Sequence, residues 1–283
     1  MAWAPSQMRG LTPRLPGAAP TDTSDAGTEG LQSMRFDGKV AFITGAGVGF
    51  GRAFARALAA EGASIVVADI DGTAGTALAR ELEDAGTSAF AVVCDVADEH
   101  QVQAGVDATV EHFGGIDILI NNAGKHLTKY NQPFSILERD ELRALFDVNV
   151  IGVVNCSVSA RPSMAERGGG VILNISSMAA YMNVSPYSVS KLAVRGLTIA
   201  FANEFAGDKI RVNGISPGLM ATENAMDDLP QSMVDEFVND RQLIHRLGVM
   251  DDIVKAMLYL CSDESSFVTG ETLKVAGGFP LFL

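Results

Sequence analysis

From Met34 onward the chain alternates between short apolar runs rich in β-branched residues and longer stretches with helical spacing. KVAFIT (39–44), SIVVADID (64–71), AFAVVCDV (89–96), IDILINNAG (116–124), GVILNISS (170–177), IRVNGISPG (210–218) and GETLKVAGG (270–278) read as strands. Helical patterns lie between them, around 51–63, 74–86, 99–114, 141–168, 187–207 and 251–263. Strands that are apolar throughout, and not merely on alternate residues, are buried on both faces, and helical connections make neighbouring strands parallel. With right-handed crossovers the expected fold is a single-domain α/β structure, a Rossmann-type doubly wound parallel sheet with helices on both faces.

The first strand meets the first helix through TGAGVGFG, with glycine at positions 45, 47, 49 and 51. The spacing G-x-G-x-x-G does not fit, because its third glycine would fall on Phe50 or Arg52, whereas G-x-x-x-G-x-G fits at Gly45, Gly49 and Gly51. A helix N-terminus carries unpaired N–H groups and a positive dipole end, so it favours a pyrophosphate, and glycine lets phosphates approach the backbone. Asp69 closes the second strand eighteen residues after Gly51, near where an acid meets the adenosine ribose hydroxyls of a dinucleotide. Together Gly45, Gly49, Phe50, Gly51 and Asp69 read as a nucleotide cradle.

Composition narrows the partners. The formal charge of −13 lacks the clustered Lys and Arg that nucleic acid or an anionic membrane surface would need. No apolar run of membrane-spanning length is expected. Cys94, Cys156 and Cys261 are scattered, with no C-x-x-C pair, and the four histidines show no ligand spacing, so no metal is expected and the cytoplasm is the expected compartment. Residues 1–33 hold Pro5, Pro13, Pro16 and Pro20 without hydrophobic periodicity. They are expected to be a disordered extension ahead of a domain at 34–283, with Met34 a candidate natural start.

At this point the chain resembles the short-chain dehydrogenase/reductase family over Met34–Gly278. TGAGVGFG matches that family's T-G-x-x-x-G-x-G, NNAG (121–124) its second signature, and YSVSK its Y-x-x-x-K. The resemblance implies that Tyr187 and Lys191 are the catalytic pair, with Asn149 and a serine of NISS completing a tetrad. It implies cofactor contacts from Asp95 and Val96 at the adenine, from Asn122 and Gly124, and from Pro217, Gly218, Met220 and Thr222 beside the nicotinamide. It further implies that Lys191 bonds the nicotinamide ribose, that the Asn149 side chain holds a water reaching Lys191, and that the long helices build a homotetramer.

The chemistry accounts for these residue types. Oxidising an alcohol removes a hydride from carbon and a proton from oxygen; the cofactor handles the hydride and the protein must supply a base. Tyrosine is a poor base at neutral pH, and Tyr187 and Lys191 share a helix face at i, i+4, where an ammonium lowers the phenol pKa. The serine holds the substrate oxygen. Ser176 and Ser177 both qualify, and the family's usual gap to the tyrosine, counted back, lands on Asn174. Ser177 is the expected residue, with the shortening confined to 178–186, because loops absorb deletions and strand registers do not.

The expected function is NAD-dependent oxidation or reduction of a small secondary alcohol or ketone. The alternatives are an NADP-dependent carbonyl or 3-oxoacyl reductase and a non-catalytic NAD-binding regulator on the same fold. Substrate contacts are expected from 125–134, 178–186 and 219–245, with Met178, Tyr181, Met182, Met220, Met226 and Leu229 suggesting an apolar pocket. The chain departs from the family's VDGG at Ala276, and its apolar FPLFL tail is expected to pack on a subunit.

Overall fold

A computed structural model describes residues 34–126, 128–182, 184–221 and 230–281. The expected leader, and Thr222, Met226 and Leu229 among the expected site residues, lie outside the described residues. Seven strands among those described form one parallel sheet, β1 (Val40–Thr44), β2 (Ser64–Asp69), β3 (Ala89–Val93), β4 (Ile118–Asn121), β5 (Gly170–Ile175), β6 (Ile210–Pro217) and β7 (Thr272–Val275). Their spatial order is β3-β2-β1-β4-β5-β6-β7, so the winding reverses between β1 and β4 and leaves a crevice at the strand ends there. The doubly wound sheet read from the sequence is the fold observed.

The two faces are covered by different helices. On one, Phe54 and Leu58 of α1 (Gly49–Ala60) and Leu78 and Leu82 of α2 (Gly72–Asp84) pack with Ile43, Val67 and Ile120. On the other, Val102 and Val106 of α3 (Glu99–Phe113) join Phe42, Val66 and Leu119. Full burial of each such side chain contributes about 1.5–3 kcal/mol, which is why the strands are apolar on both sides. Local signals set the helix ends. The Asp71 side chain accepts from the Thr73 and Ala74 N–H groups to start α2, Asp98 does the same for α3, and Gly114 at φ 77° stops α3.

The expected long helix is three pieces, α4 (Arg139–Phe146), a π-helical turn (Asp147–Ile151) and α5 (Gly152–Glu166). Contrary to expectation, this stretch, Arg139–Glu166, is by length and composition apolar enough to cross a membrane. In the fold it covers the sheet, with Leu145, Cys156, Ala160 and Met164 buried. A helix packed on a sheet and against neighbouring helices is apolar on more than one side, which accounts for this composition. In the tail, Phe279 turns back onto Phe237 of its own chain, ring centroids 5.5 Å apart and edge to face, while Leu281 is exposed.

Candidate active site

The glycine turn has no side-chain cap. Val48 occupies the cap position of α1 and offers no acceptor, so the first N–H groups of that helix are left for something else. Gly45 and Gly49 take φ values of 60° and 55°, and a Cβ on Gly49 would meet nothing within 4 Å. A Cβ on Gly51, by contrast, would run into the Gly45 carbonyl and the Asn122 amide, so glycine is needed there to fold the turn on itself. Open space above an uncapped helix start suits a pyrophosphate, and these residues fit a dinucleotide.

The turn is stapled to the NNAG segment. The Thr44 hydroxyl accepts from the Asn122 and Ala123 N–H groups, both at 3.0 Å, and the Asn122 amide donates to the Thr44 and Gly45 carbonyls, both at 2.9 Å. Asn122, read from sequence as a cofactor contact, here fixes the turn while also lining the cleft. Thr44 was legible only as a motif letter; its hydroxyl's role needed the β1–β4 pairing.

A cleft of about 520 Å³ runs along the strand ends. Of the cofactor residues expected from sequence, Gly45, Gly49, Phe50, Asp69, Asp95, Val96, Asn122, Gly124, Pro217, Gly218 and Met220 line it; Gly51 sits behind the turn and Thr222 is not described. Sequence reasoning did not single out Val48, Ile70 or Cys94, which add an apolar wall at the Asp69 end, and the exposure of Ile70 is a signal only a structure gives. Burial first, then the charges of Asp95 and Asp98, push the Cys94 thiol up to about 11, so it stays protonated.

Asp69 is buried and already engaged. One carboxylate oxygen accepts from the Gly47 N–H at 2.7 Å and the other from Asp71 N–H at 2.9 Å. It therefore ties the glycine turn to the start of α2 while bordering the cleft. Arg52, the next residue after the turn, does not line the cleft, and its charge is felt at Glu81 on α2.

Ser177, Tyr187 and Lys191 line the other end. α6 (Pro186–Glu204) presents the last two, and it starts from Ser185, whose hydroxyl accepts from the Ser188 N–H, with Pro186 at the first turn. Lys191 is buried and its ammonium donates to the Ile175 carbonyl at 2.9 Å; burial lowers its pKa to about 8. The expected lowering of the Tyr187 pKa is not what the free chain has. Burial raises it, a hydrogen bond with Ser177 works the other way, and the Lys191 ammonium lies 6.0 Å from the ring centroid. Burial is the larger of the two causes, and the Lys191 ammonium is bonded to the Ile175 carbonyl.

The three oxygen-holding alternatives separate clearly. Asn174 is fully buried, accepting from the Asn121 amide at 2.8 Å and donating to Thr198 at 3.0 Å, away from the cleft. Ser176 borders the cleft but its hydroxyl donates to the Lys191 carbonyl at 2.8 Å. Ser177 lies just past the end of β5, where its hydroxyl accepts from the Ala179 N–H at 3.1 Å to start the short 3-10 turn Met178–Tyr181.

One expectation is extended and another corrected. The Asn149 side chain has more protein partners than expected: its oxygen accepts from the Lys125 N–H at 2.7 Å, and its amide donates to the Lys125 carbonyl at 3.0 Å and to Ser190 at 3.1 Å. A short polar amide buried at a π turn is satisfied by the nearest backbone. The apolar pocket is also not as expected. Of its residues that are described, only Met220 lines the cleft, while the Tyr181 ring lies 3.9 Å from the Arg195 guanidinium and 4.8 Å from Lys274. Lys125 and His126 stand in the cleft instead.

A glycine turn at the switch point of a doubly wound sheet, with a buried lysine and a tyrosine across the crevice, defines a class of nicotinamide-dependent oxidoreductase. Comparison with known proteins agrees. The family profile described as enoyl-(acyl carrier protein) reductase matches residues 45–280. The chain is 39% identical over 249 residues to 7alpha-hydroxysteroid dehydrogenase of Escherichia coli K12, covering 87% of this chain and 96% of that one. A 7 alpha-hydroxysteroid dehydrogenase complexed with NADH and 7-oxo glycochenodeoxycholic acid superposes with TM-score 0.81 at 37% identity, covering 87% of this chain and 96% of that one. A gluconate 5-dehydrogenase from Burkholderia cenocepacia, in complex with NADP and tartrate, gives 0.82 at 36% identity, covering 89% and 99%. The chain belongs to the short-chain dehydrogenase/reductase family, whose members bind a nicotinamide cofactor.

Proposed function

We propose that this protein is an NAD-preferring oxidoreductase acting between a secondary alcohol and its ketone, with Tyr187 exchanging the proton. The observation that carries this reading is the meeting of Ser177, Tyr187 and Lys191 in one cleft with Asp69 and the glycine turn. When bound, the nicotinamide gives or takes the hydride. The chain's own residues do the remainder. Tyr187 donates its phenolic proton to the carbonyl oxygen in reduction and removes the hydroxyl proton in oxidation. Ser177 donates a hydrogen bond to that oxygen as charge develops on it. Lys191, charged below a pKa of about 8, stabilises the phenolate that remains. Asn149 holds the Lys125 backbone and Ser190, which fixes the floor on which the substrate rests.

The preference for NAD is supported by Asp69, whose carboxylate borders the cleft where an additional phosphate on the ribose would bring a second negative charge. Assembly as a homotetramer is part of the same proposal, supported by Ile151, Val158, Leu192 and Ile199, apolar side chains exposed on the π turn, α5 and α6. The test is steady-state kinetics on a panel of secondary alcohols and ketones with both cofactors, beside Tyr187→Phe. Turnover that the variant retains in full would overturn the reading.

A further inference from the structure

The geometry points to Lys125, with His126 beside it, as an anion-recognition subsite, so that the substrate is a hydroxy or oxo compound bearing a carboxylate away from its reacting carbon. This rests on the oxidoreductase reading above, since it concerns the same cleft.

Lys125 is placed with care by its neighbours. Its N–H and its carbonyl are both bonded to Asn149, and the preceding Asn122 and Ala123 are stapled to Thr44. Lys125 thus lines the cleft from a fixed backbone, and it is half-buried there. An ammonium lining a cleft is best met by an opposite charge.

No such charge comes from the described lining. Its only carboxylates are Asp69 and Asp95, on the β2 and β3 side of the switch point, and both accept backbone N–H groups there, from Gly47 and Asp71 and from Ala97. Glu141 does feel the Lys125 charge, but it is taken by the Lys129 ammonium at 3.0 Å and the Tyr130 hydroxyl at 2.8 Å. The Ser177 end therefore holds Lys191, Lys125 and His126 with no acid among the described lining residues. In a chain whose net charge is −13, two lysines at this end, with no acid there among the described lining residues, favour an anion.

The test uses acetoacetate, levulinate and cholate, each beside its methyl ester, with wild type, Lys125→Gln and Lys125→Arg. Two readouts are taken: kcat/KM from nicotinamide absorbance, and binding to protein loaded with reduced cofactor, from the change in nicotinamide fluorescence. At least one acid should exceed its ester by about tenfold, the scale of one hydrogen bond to a charged group. Lys125→Gln should bring that ratio to about one through the KM of the acid, and Lys125→Arg should restore most of it. Esters equal to or better than acids in every pair by both readouts, or a ratio indifferent to Lys125→Gln, would overturn the proposal. Failure of the oxidoreductase reading is distinct: no compound, charged or neutral, turns over faster than with Tyr187→Phe, and the binding titration then still decides the anion subsite.

Discussion

Asn149 grips the peptide of Lys125 from both sides, accepting its N–H at 2.7 Å and donating to its carbonyl at 3.0 Å, with a third bond to Ser190 at 3.1 Å. The π turn that carries Asn149 is thereby coupled to the loop after NNAG, which forms the floor of the reacting end. Asn149→Ala removes all three bonds and strands buried partners, costing about 2–3 kcal/mol of stability. Because the floor moves with it, KM should rise as kcat falls. Urea denaturation and steady-state kinetics on one protein preparation check both; a variant as stable and as active as wild type contradicts the clamp.

Asp69 ties the glycine turn to α2 and, in the proposed function, disfavours NADP. Two like charges about 4 Å apart repel by about 1–4 kcal/mol, which corresponds to a preference for NAD of tens-fold or more. Asp69→Asn removes the charge, and its single carbonyl oxygen replaces two acceptors that now serve Gly47 and Asp71. The ratio of kcat/KM for NAD over NADP should fall at least about tenfold, with a lower Tm. An unchanged ratio would mean that Asp69 serves the turn alone.

The lysine at the centre of the site should leave a pH signature. Its folded pKa of about 8 lies below the ordinary 10.5, so between these values the unfolded chain holds a proton that the folded chain has released. The unfolded state binds more protons in that window, and this group's contribution to stability rises with pH across it. Wild type should gain stability relative to Lys191→Met from pH 8 toward 10.5. Ketone reduction should decline above pH 8 as the ammonium beside Tyr187 is lost. A flat difference in stability across the window would contradict the burial.

Ser177 and Ser176 should differ in kind. Ser177→Ala removes the hydroxyl that meets Tyr187 and should lower kcat by roughly 10²–10³. Ser176→Ala removes one bond to the Lys191 carbonyl, costing about 1 kcal/mol of stability and several-fold in rate. Equal losses of rate from the two would remove the distinction.

The proposed assembly rests on exposed apolar surface. Val158 and Ile199 are each about half exposed, at 51% and 55%, on the outer faces of α5 and α6. Light scattering at micromolar concentration should give a tetramer, and Ile199→Glu should shift it toward smaller species by burying a charge at the contact. A monomeric wild type would remove this reading.

The sequence by itself determined the sheet, because alternating apolar runs and helical patterns are local signals whose meaning survives without knowing what they touch. It marked the glycine turn for the same reason, whereas Asn149, Ser177, Tyr187 and Lys191 came from resemblance to the family, since each alone reads as an ordinary helix or strand-end residue. Tertiary structure decided what those groups do with their hydrogen bonds. The Asn149 side chain holds the Lys125 peptide, 24 residues away, a contact the sequence did not show. Tyr181 was read as pocket lining and instead stacks with Arg195. A side chain's partner depends on which strands become neighbours, and a pKa depends on how much water the completed fold excludes. Burial thus raises the Tyr187 phenol against the opposing hydrogen bond of Ser177.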